Sequence, residues 1–214
     1  MKDNLISISI DDGHPLDLKT AEILKSKNIK AIFYIPIKNN TGRPTLGNKQ
    51  IKELSQNPGF EIGGHTYNHV DLTKVPLKKA EEEMRTGKEA LEDIIGKKVT
   101  TFAWPWGKYN RTLLTLATKV GFKNTRATAT INFNEVNSSD LLWYPNLLIK
   151  PHSFISDMRN TMKRLDVYST FRRVYYSNLS HMDLLNVIDT KRKFFWFHSW
   201  EIDKFNMWDF LKNL

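Results

Sequence analysis

Short apolar runs alternate with amphipathic stretches along most of the chain. Runs rich in β-branched and aromatic residues predict strands. Five such runs lie at residues 5–10, 31–36, 60–62, 99–104 and 194–197. Two shorter β-like pieces follow within residues 122–150, at 125–131 and 147–149.

Helical spacing of apolar residues fills most of the intervals between these runs. The longest helical pattern runs from Leu77 to Ile95, with Pro76 before it and Gly96 after it, as helix boundaries favour. Asn110 is a suitable N-cap for another helix. The remaining patterns predict helices around residues 18–24, 51–54, 113–120, 158–165, 182–188 and 205–214.

Alternation of strands and helices, in units of roughly thirty residues, favours a parallel sheet, as a barrel or an open doubly wound sheet. The 214 residues contain no repeat, low-complexity tract or linker, which predicts a single domain over 1–214. Polar residues with catalytic or ligand chemistry follow several of the predicted strands. In a β/α barrel the strand ends form one rim, so these residues would meet there.

Composition narrows the chemistry of any site. The chain has no cysteine, which leaves a metal ion only histidine and carboxylate ligands. Its 32 basic and 23 acidic side chains give a net charge of +9, which would suit an acidic glycan, a nucleic acid or a membrane surface, although a generally basic proteome explains it equally simply. No apolar run approaches the ~20 residues that span a bilayer. Because a strand pattern begins directly after Asn4, we expect no signal peptide and a cytoplasmic location.

Two segments carry the groups of a candidate metal site. His65 and His69 are four residues apart, so a helical turn there would place both imidazoles on one side to hold a divalent ion. Asp11 and Asp12 follow the first strand, where an ordinary Asp-Gly turn is the simpler interpretation. Because neighbouring strand residues face opposite ways, both carboxylates could serve one site only if the strand ends there and Gly13 bends the chain.

Taken together, four segments resemble the motifs of the polysaccharide deacetylase family, also called carbohydrate esterase family 4 or the NodB-homology domain. They are Ser9–Gly13, Gly64–His69, Phe102–Gly107 and Trp196–His198, in the family's order. The tail His198–Glu201, followed by Trp208, is similar to a short subgroup without obvious secretion signals. The resemblance implies an α/β fold, a distorted (β/α)7 barrel.

The resemblance also implies the ligands of a divalent metal, which would be Asp12, His65 and His69. We expect Zn2+, although Co2+, Ni2+ or Fe2+ suits the same ligands. Two histidines and one carboxylate also serve non-haem iron oxygenases, but the distance of the aspartate from the histidine pair in the chain and the βα order argue against that class.

The implied catalytic groups are Asp11 as base, His198 as acid and the Trp106 backbone N–H as an oxyanion donor. Many members of the family have arginine where this chain has Ala103, and Arg126 would supply that charge instead. The family's fourth motif has an aspartate and a tryptophan. Asp140 and Trp143 are candidates for them by composition, and residues 150–152, including His152, for a further part of the site wall.

These roles predict a hydrolase that removes N-acetyl groups from amino sugars of a polysaccharide or, for a cytoplasmic protein, of its precursor. The substrate could be lipid-linked, with peripheral contact to an anionic membrane. An alternative is a glycan-binding protein without catalysis, whose aromatic residues Trp104, Trp106, Trp196 and Trp200 would stack on sugars. A third is nucleic-acid binding through the basic and aromatic segments 163–164, 172–176 and 191–193. We interpret these segments as a solvated basic face and expect no nucleic-acid partner.

Overall fold

A computed structural model describes residues 5–128, 136–145, 147–149 and 191–214. The helices predicted at 158–165 and 182–188 lie outside these ranges, as do residues 150–152 and the basic segments 163–164 and 172–176. All the structural statements that follow concern the described residues.

Eight strands form one parallel sheet, in the order β6-β5-β4-β3-β2-β1-β8-β7. This arrangement confirms the predicted α/β class with a parallel sheet. The strands are β1 (Leu5–Asp11), β2 (Lys30–Ile35), β3 (Phe60–Gly64), β4 (Thr101–Ala103), β5 (Asn124–Arg126), β6 (Leu142–Trp143), β7 (Leu147–Leu148) and β8 (Arg192–Phe197).

Within the described residues, six α-helices accompany the sheet: α1 (Asp17–Ser26), α2 (Asn48–Ser55), α3 (Leu77–Ile95), α4 (Arg111–Val120), α5 (Ser199–Lys204) and α6 (Trp208–Lys212). Two short 3-10 helices lie at Leu72–Lys74 and Pro105–Gly107. The predicted boundary residues act as expected. The Asn110 side chain accepts the Leu113 N–H at 2.9 Å, and Gly96 ends α3 with a φ of 68°. The helix predicted over 205–214 is shorter, and α5 directly before it was not predicted. None of the described helices has the length and apolar character needed to cross a bilayer.

The centre of the sheet is covered on both faces. Ile8, Ser9 and Ile10 are consecutive in β1 and all buried, which is typical of parallel strands that lie between a core and a layer of helices. Phe102 of β4 packs edge-on against Trp104, with ring centroids 5.0 Å apart, and against Phe122 at 4.9 Å. Burial of these large side chains supplies most of the driving force for this layer.

The parallel register brings the ends of the strands to one edge. Asp11 pairs with Tyr34, Ile35 with Gly64, and Gly64 in turn with Phe102. The segments that follow β1, β3 and β4 therefore leave the sheet side by side, although they are far apart in the chain.

Helix α3 packs directly on the segment that follows β3. A Cβ on Gly87 would lie 2.8 Å from the Thr66 carbonyl carbon and 2.9 Å from the Tyr67 nitrogen, closer than packed atoms approach. Glycine is therefore needed at this helical position because of the neighbouring backbone, not because of its own φ.

We expect Gly87→Ala to destabilise the protein. Alanine favours a helix by about 1 kcal/mol over glycine, but forcing a methyl group against backbone costs about 1–3 kcal/mol, so the free energy of unfolding should fall or at best stay level. Urea unfolding of the metal-free protein measures this.

Gly47→Ala is the matched control. Its Cβ would meet only Gln50 Oε1, at 3.7 Å, and its φ of −77° suits any residue. Gly47 is the N-cap of α2, where alanine is less favourable than glycine, so a small loss of stability is expected for Gly47→Ala as well. A Gly87→Ala variant that is more stable than the unaltered chain would contradict the packing argument.

Candidate metal centre and active site

The chain turns sharply where β1 ends. Asp12 and Gly13 have φ values of 78° and 58°, and Asp11 and Asp12 are both buried. A Cβ on Gly13 would lie 2.7 Å from Ile35 Cγ2, so the positive φ and the close approach both require glycine. The strand therefore ends as the sequence analysis required for both carboxylates to reach one site.

The two histidines do not meet through a helical turn, contrary to the geometry considered from their spacing. Residues 65–70 have no helical assignment, and Thr66 and His69 have φ values of 65° and 54°. This irregular loop still brings the two imidazoles together, with ring centroids 4.9 Å apart.

Asp12, His65 and His69 form a buried triad whose ligand atoms all lie within 4.8 Å of one another. Asp12 Oδ1 lies 3.1 Å from His69 Nε2 and 3.7 Å from His65 Nε2. One carboxylate oxygen and two ring nitrogens thus face the same point. This group could hold a metal ion, as the donor set of two imidazoles and one carboxylate suits zinc and related divalent ions.

The protonation of the three triad side chains is compatible with metal binding. His65 Nδ1 lies 2.8 Å from the Ala103 carbonyl oxygen, which can only accept, so Nδ1 carries the hydrogen and Nε2 presents a lone pair. Burial lowers the pKa of His69, which favours the neutral ring. Burial opposes ionisation of Asp12, but its close contacts with His65 and His69 and the charge of His198 hold its pKa well below the usual range.

The histidine loop is held by helix α3. Glu83, 1% exposed, accepts hydrogen bonds from the Asn68 backbone N–H at 2.9 Å and from Asn68 Nδ2 at 2.8 Å. The Glu83 carbonyl oxygen accepts the Tyr67 N–H at 3.0 Å. The loop between β2 and α2 adds a bond from Lys38 N–H to the Tyr67 carbonyl oxygen at 2.7 Å. The turn between the two histidines is therefore fixed from both sides.

Asp11 forms an ion pair with Arg126, through two hydrogen bonds from Arg126 Nη2. Both side chains are buried. The guanidinium lies between aromatic rings, with Cζ 5.0 Å from the centroid of Tyr34 and 5.2 Å from that of Trp196. Arg126, which was expected to supply the charge absent at Ala103, thus contacts the carboxylate of Asp11.

His198 directly follows β8, and the first turn of α5 holds it. Its Nδ1 donates to Glu201 Oε2 at 2.6 Å, and its Nε2 lies 4.0 Å from Asp12 Oδ2. Burial opposes the charged ring, but the hydrogen bond with Glu201 and the Asp12 charge raise the pKa of His198. Glu201 was not predicted as a site residue. Its spacing of three residues from His198 was the available signal, but it is informative only once α5 is known.

The four tryptophans considered for sugar stacking differ in exposure. Trp104 and Trp196 are buried, whereas Trp106 is 49% exposed and packs edge-on against His69, with ring centroids 4.5 Å apart. Trp200 is partly buried and donates its indole N–H to Asp12 Oδ2 at 3.1 Å. Trp106 and Trp200 therefore border the triad, and the other two are structural.

The fourth-motif candidates lie elsewhere. Asp140 is exposed before β6, at the opposite edge of the sheet from the triad, and accepts a hydrogen bond from Asn137 Nδ2 at 2.8 Å. Trp143 is buried against Phe194, with ring centroids 5.3 Å apart. Of the basic segments, the structure describes only 191–193, in which Lys193 is buried.

Comparison with known proteins identifies the family of this chain. Residues 1–125 match the model of the polysaccharide deacetylase family. Over 119 residues, 55% of this chain and 42% of the relative, the sequence is 29% identical to the peptidoglycan-N-acetylglucosamine deacetylase of Bacillus cereus. Three other curated relatives are matched over 42%, 33% and 28% of their lengths, so the chain spans less than half of each of these proteins.

Two solved structures are similar to this one. The deacetylase PplD of Streptococcus pyogenes, determined with acetate, is 25% identical, with a TM-score of 0.57 over 74% of this chain and 69% of that one. A family 4 carbohydrate esterase of Streptomyces lividans, 13% identical, shares the fold with a TM-score of 0.55 over 100% of this chain and 88% of its own. The chain belongs to the polysaccharide deacetylase family, carbohydrate esterase family 4, and has the predicted distorted (β/α)7 barrel fold.

Proposed function

We propose that this chain is a metal-dependent hydrolase that removes N-acetyl groups from amino sugars of a polysaccharide or its precursor. The observation that carries the proposal is the buried triad Asp12, His65 and His69. At the same edge of the sheet lie Asp11, which forms an ion pair with Arg126, and His198, which is hydrogen-bonded to Glu201. The named activity of the Bacillus cereus relative supports the substrate class.

Asp12, His65 and His69 would hold the ion, for which Zn2+ is the first candidate. When bound, such an ion acts as a Lewis acid that polarises an amide carbonyl and makes water nucleophilic near neutral pH. The tautomer of His65 and the lowered pKa values of His69 and Asp12 favour the protonation states that ligation requires.

Asp11 acts as the general base in this proposal and takes the proton of the attacking water. A base must be correctly aimed. Arg126 holds the Asp11 carboxylate in place, since its guanidinium bonds to both carboxylate oxygens and cannot itself lose a proton. The charge that many family members place at the position of Ala103 reaches Asp11 here from β5.

His198 acts as the general acid and protonates the leaving amine nitrogen. Because Glu201 binds Nδ1, Nε2 is directed toward the triad, where the bond would break. Glu201 also stabilises the charged ring, so a proton is available for transfer. The Trp106 backbone N–H remains our proposed donor to the oxyanion, for which such a bond is worth about 3 kcal/mol.

The first test is metal content and acetate release with His65→Ala. The unaltered chain should bind about one equivalent of zinc or a similar ion and release acetate from N-acetylglucosamine oligomers. His65→Ala should lose both, because two ligands hold the ion too weakly. His14→Ala, which removes a histidine outside the triad, should keep the ion.

Full activity of His65→Ala, or no specific metal after reconstitution, would overturn the proposal. Binding of the oligomers by the metal-loaded chain without acetate release would instead favour a glycan-binding protein.

Arg126 and Asp11 should depend strongly on each other for stability. Arg126→Met should lower the free energy of unfolding by about 3–5 kcal/mol, because it leaves a buried carboxylate without its counter-charge. Asp11→Asn in the same chain should restore much of this loss, because the buried charge is then gone.

Urea unfolding of both single variants and the double variant, with metal removed, measures the coupling. Additive losses in the double variant would show that the two side chains do not stabilise each other.

Glu201→Gln should lower kcat and leave KM and metal content near those of the unaltered chain. General acids typically contribute on the order of 10²–10⁴ in rate, so loss of the paired charge should cost on the order of 10–100-fold. Asp209→Asn removes an exposed carboxylate of α6 that pairs with Lys212 and should leave kcat unchanged. Equal kcat in the two variants would argue against the proposed role of Glu201.

A further inference from the structure

The two oxygens of Asp12 have different partners. Oδ1 faces the imidazoles, 3.1 Å from His69 Nε2 and 3.7 Å from His65 Nε2. Oδ2 accepts the indole N–H of Trp200 at 3.1 Å. The hydrogen bond thus engages the oxygen that does not face the histidines.

We propose that Trp200 is a positioning residue that holds Asp12 as a one-oxygen metal ligand. This inference rests on the proposed metal centre and adds a determinant of its affinity. A carboxylate can bind a metal through one oxygen or two, and the N–H fixes the plane of the carboxylate so that Oδ1 alone points at the histidines. Such partners of metal ligands are typically worth 10–100-fold in metal affinity.

The Trp200 ring is itself held on several sides. Arg43 lies over it, with Cζ 4.0 Å from the ring centroid, and the His198 ring packs beside it at 5.3 Å. The preceding residue, Ser199, is buried and shares a 2.8 Å hydrogen bond with Thr20 of α1. The indole N–H is therefore presented to Asp12 by a ring with little freedom to turn, which lowers the entropic cost of the bond.

Trp208 offers a matched control within the same chain. Its indole N–H donates to Asp203 Oδ1 at 2.8 Å, and Lys19 Nζ lies 3.9 Å from its ring centroid. It therefore makes the same two kinds of interaction as Trp200, a carboxylate hydrogen bond and a cation over the ring, but its carboxylate is not part of the triad.

The experiment compares Trp200→Phe with Trp208→Phe. Each change keeps an aromatic ring and removes one N–H bond to a carboxylate. The zinc dissociation constant, measured by competition with a chelator, should rise at least about tenfold for Trp200→Phe and stay within about threefold for Trp208→Phe. Unfolding of the metal-free variants separates this from stability, because a merely structural role predicts a lower midpoint with unchanged zinc affinity.

A second pair of variants provides the test if Trp200→Phe does not fold. Arg43→Met and Lys19→Met each remove the cation over one ring, and only Arg43→Met should weaken zinc binding. Equal zinc affinity in Trp200→Phe and Trp208→Phe, or in this second pair if the first cannot be measured, would overturn the inference and leave the metal centre standing. Failure of the unaltered chain to bind zinc or any similar divalent ion after reconstitution would overturn the proposed function and this inference with it.

Discussion

The buried ion pair between Asp11 and Arg126 is the interaction on which the arrangement of the site depends. Asp11 ends β1 and Arg126 ends β5, and three strands, β2, β3 and β4, separate them in the sheet. The two groups can touch only because the sheet curls, so the pair spans the interior of the barrel. A buried pair gains little over an apolar one, but loss of either partner is costly. Its main effect is therefore to specify this one curled arrangement and the direction of the Asp11 carboxylate.

Backbone strain is concentrated where the site is built. Of the six non-glycine residues with positive φ in the described part of the chain, four lie at the site: Asp12, Thr66, His69 and Trp106. Each such conformation typically costs about 1–3 kcal/mol and persists only where surrounding contacts hold it. Those contacts are present, as Glu83 and the β2–α2 loop hold the histidine turn and Trp200 holds Asp12. The strands place the reactive groups at one edge of the sheet, and the helices and loops hold the backbone there in its strained, positive-φ conformation.

Sequence patterns predicted the order of elements because that order depends on local signals, whereas the grouping of Asp12, His65 and His69 as ligands was implied by the family resemblance. Apolar runs mark buried strands, and reactive side chains follow them directly. The positive φ values at Thr66 and His69 have no such signal, since spacing alone suggested a helical turn for the histidine pair. Sequence patterns also gave no indication of the contacts that Glu83 and Trp200 make at the site. Glu83 belongs to an ordinary charged helix pattern, and the bond from Trp200 to Asp12 joins residues at opposite ends of the chain. Such contacts depend on the three-dimensional arrangement, here the pairing of β8 with β1 and the packing of α3 on the histidine loop.

Several positioning residues lie in a different part of the chain from the proposed ligands. The triad lies within residues 1–125, which match the family model. Arg126, His198, Trp200 and Glu201 all lie beyond that segment, yet each contacts Asp11, Asp12 or another of these residues. The first part of the chain therefore contains the three proposed ligands and also Glu83, which holds the histidine loop. Asp11 and Asp12 are contacted from β5 and α5. Because positioning groups act through distance and orientation, they can be replaced from a different strand or helix without altering a ligand. Under the proposed function, Arg126 would be such a replacement, since it pairs with Ala103 in the sheet and its charge reaches Asp11 from the neighbouring strand.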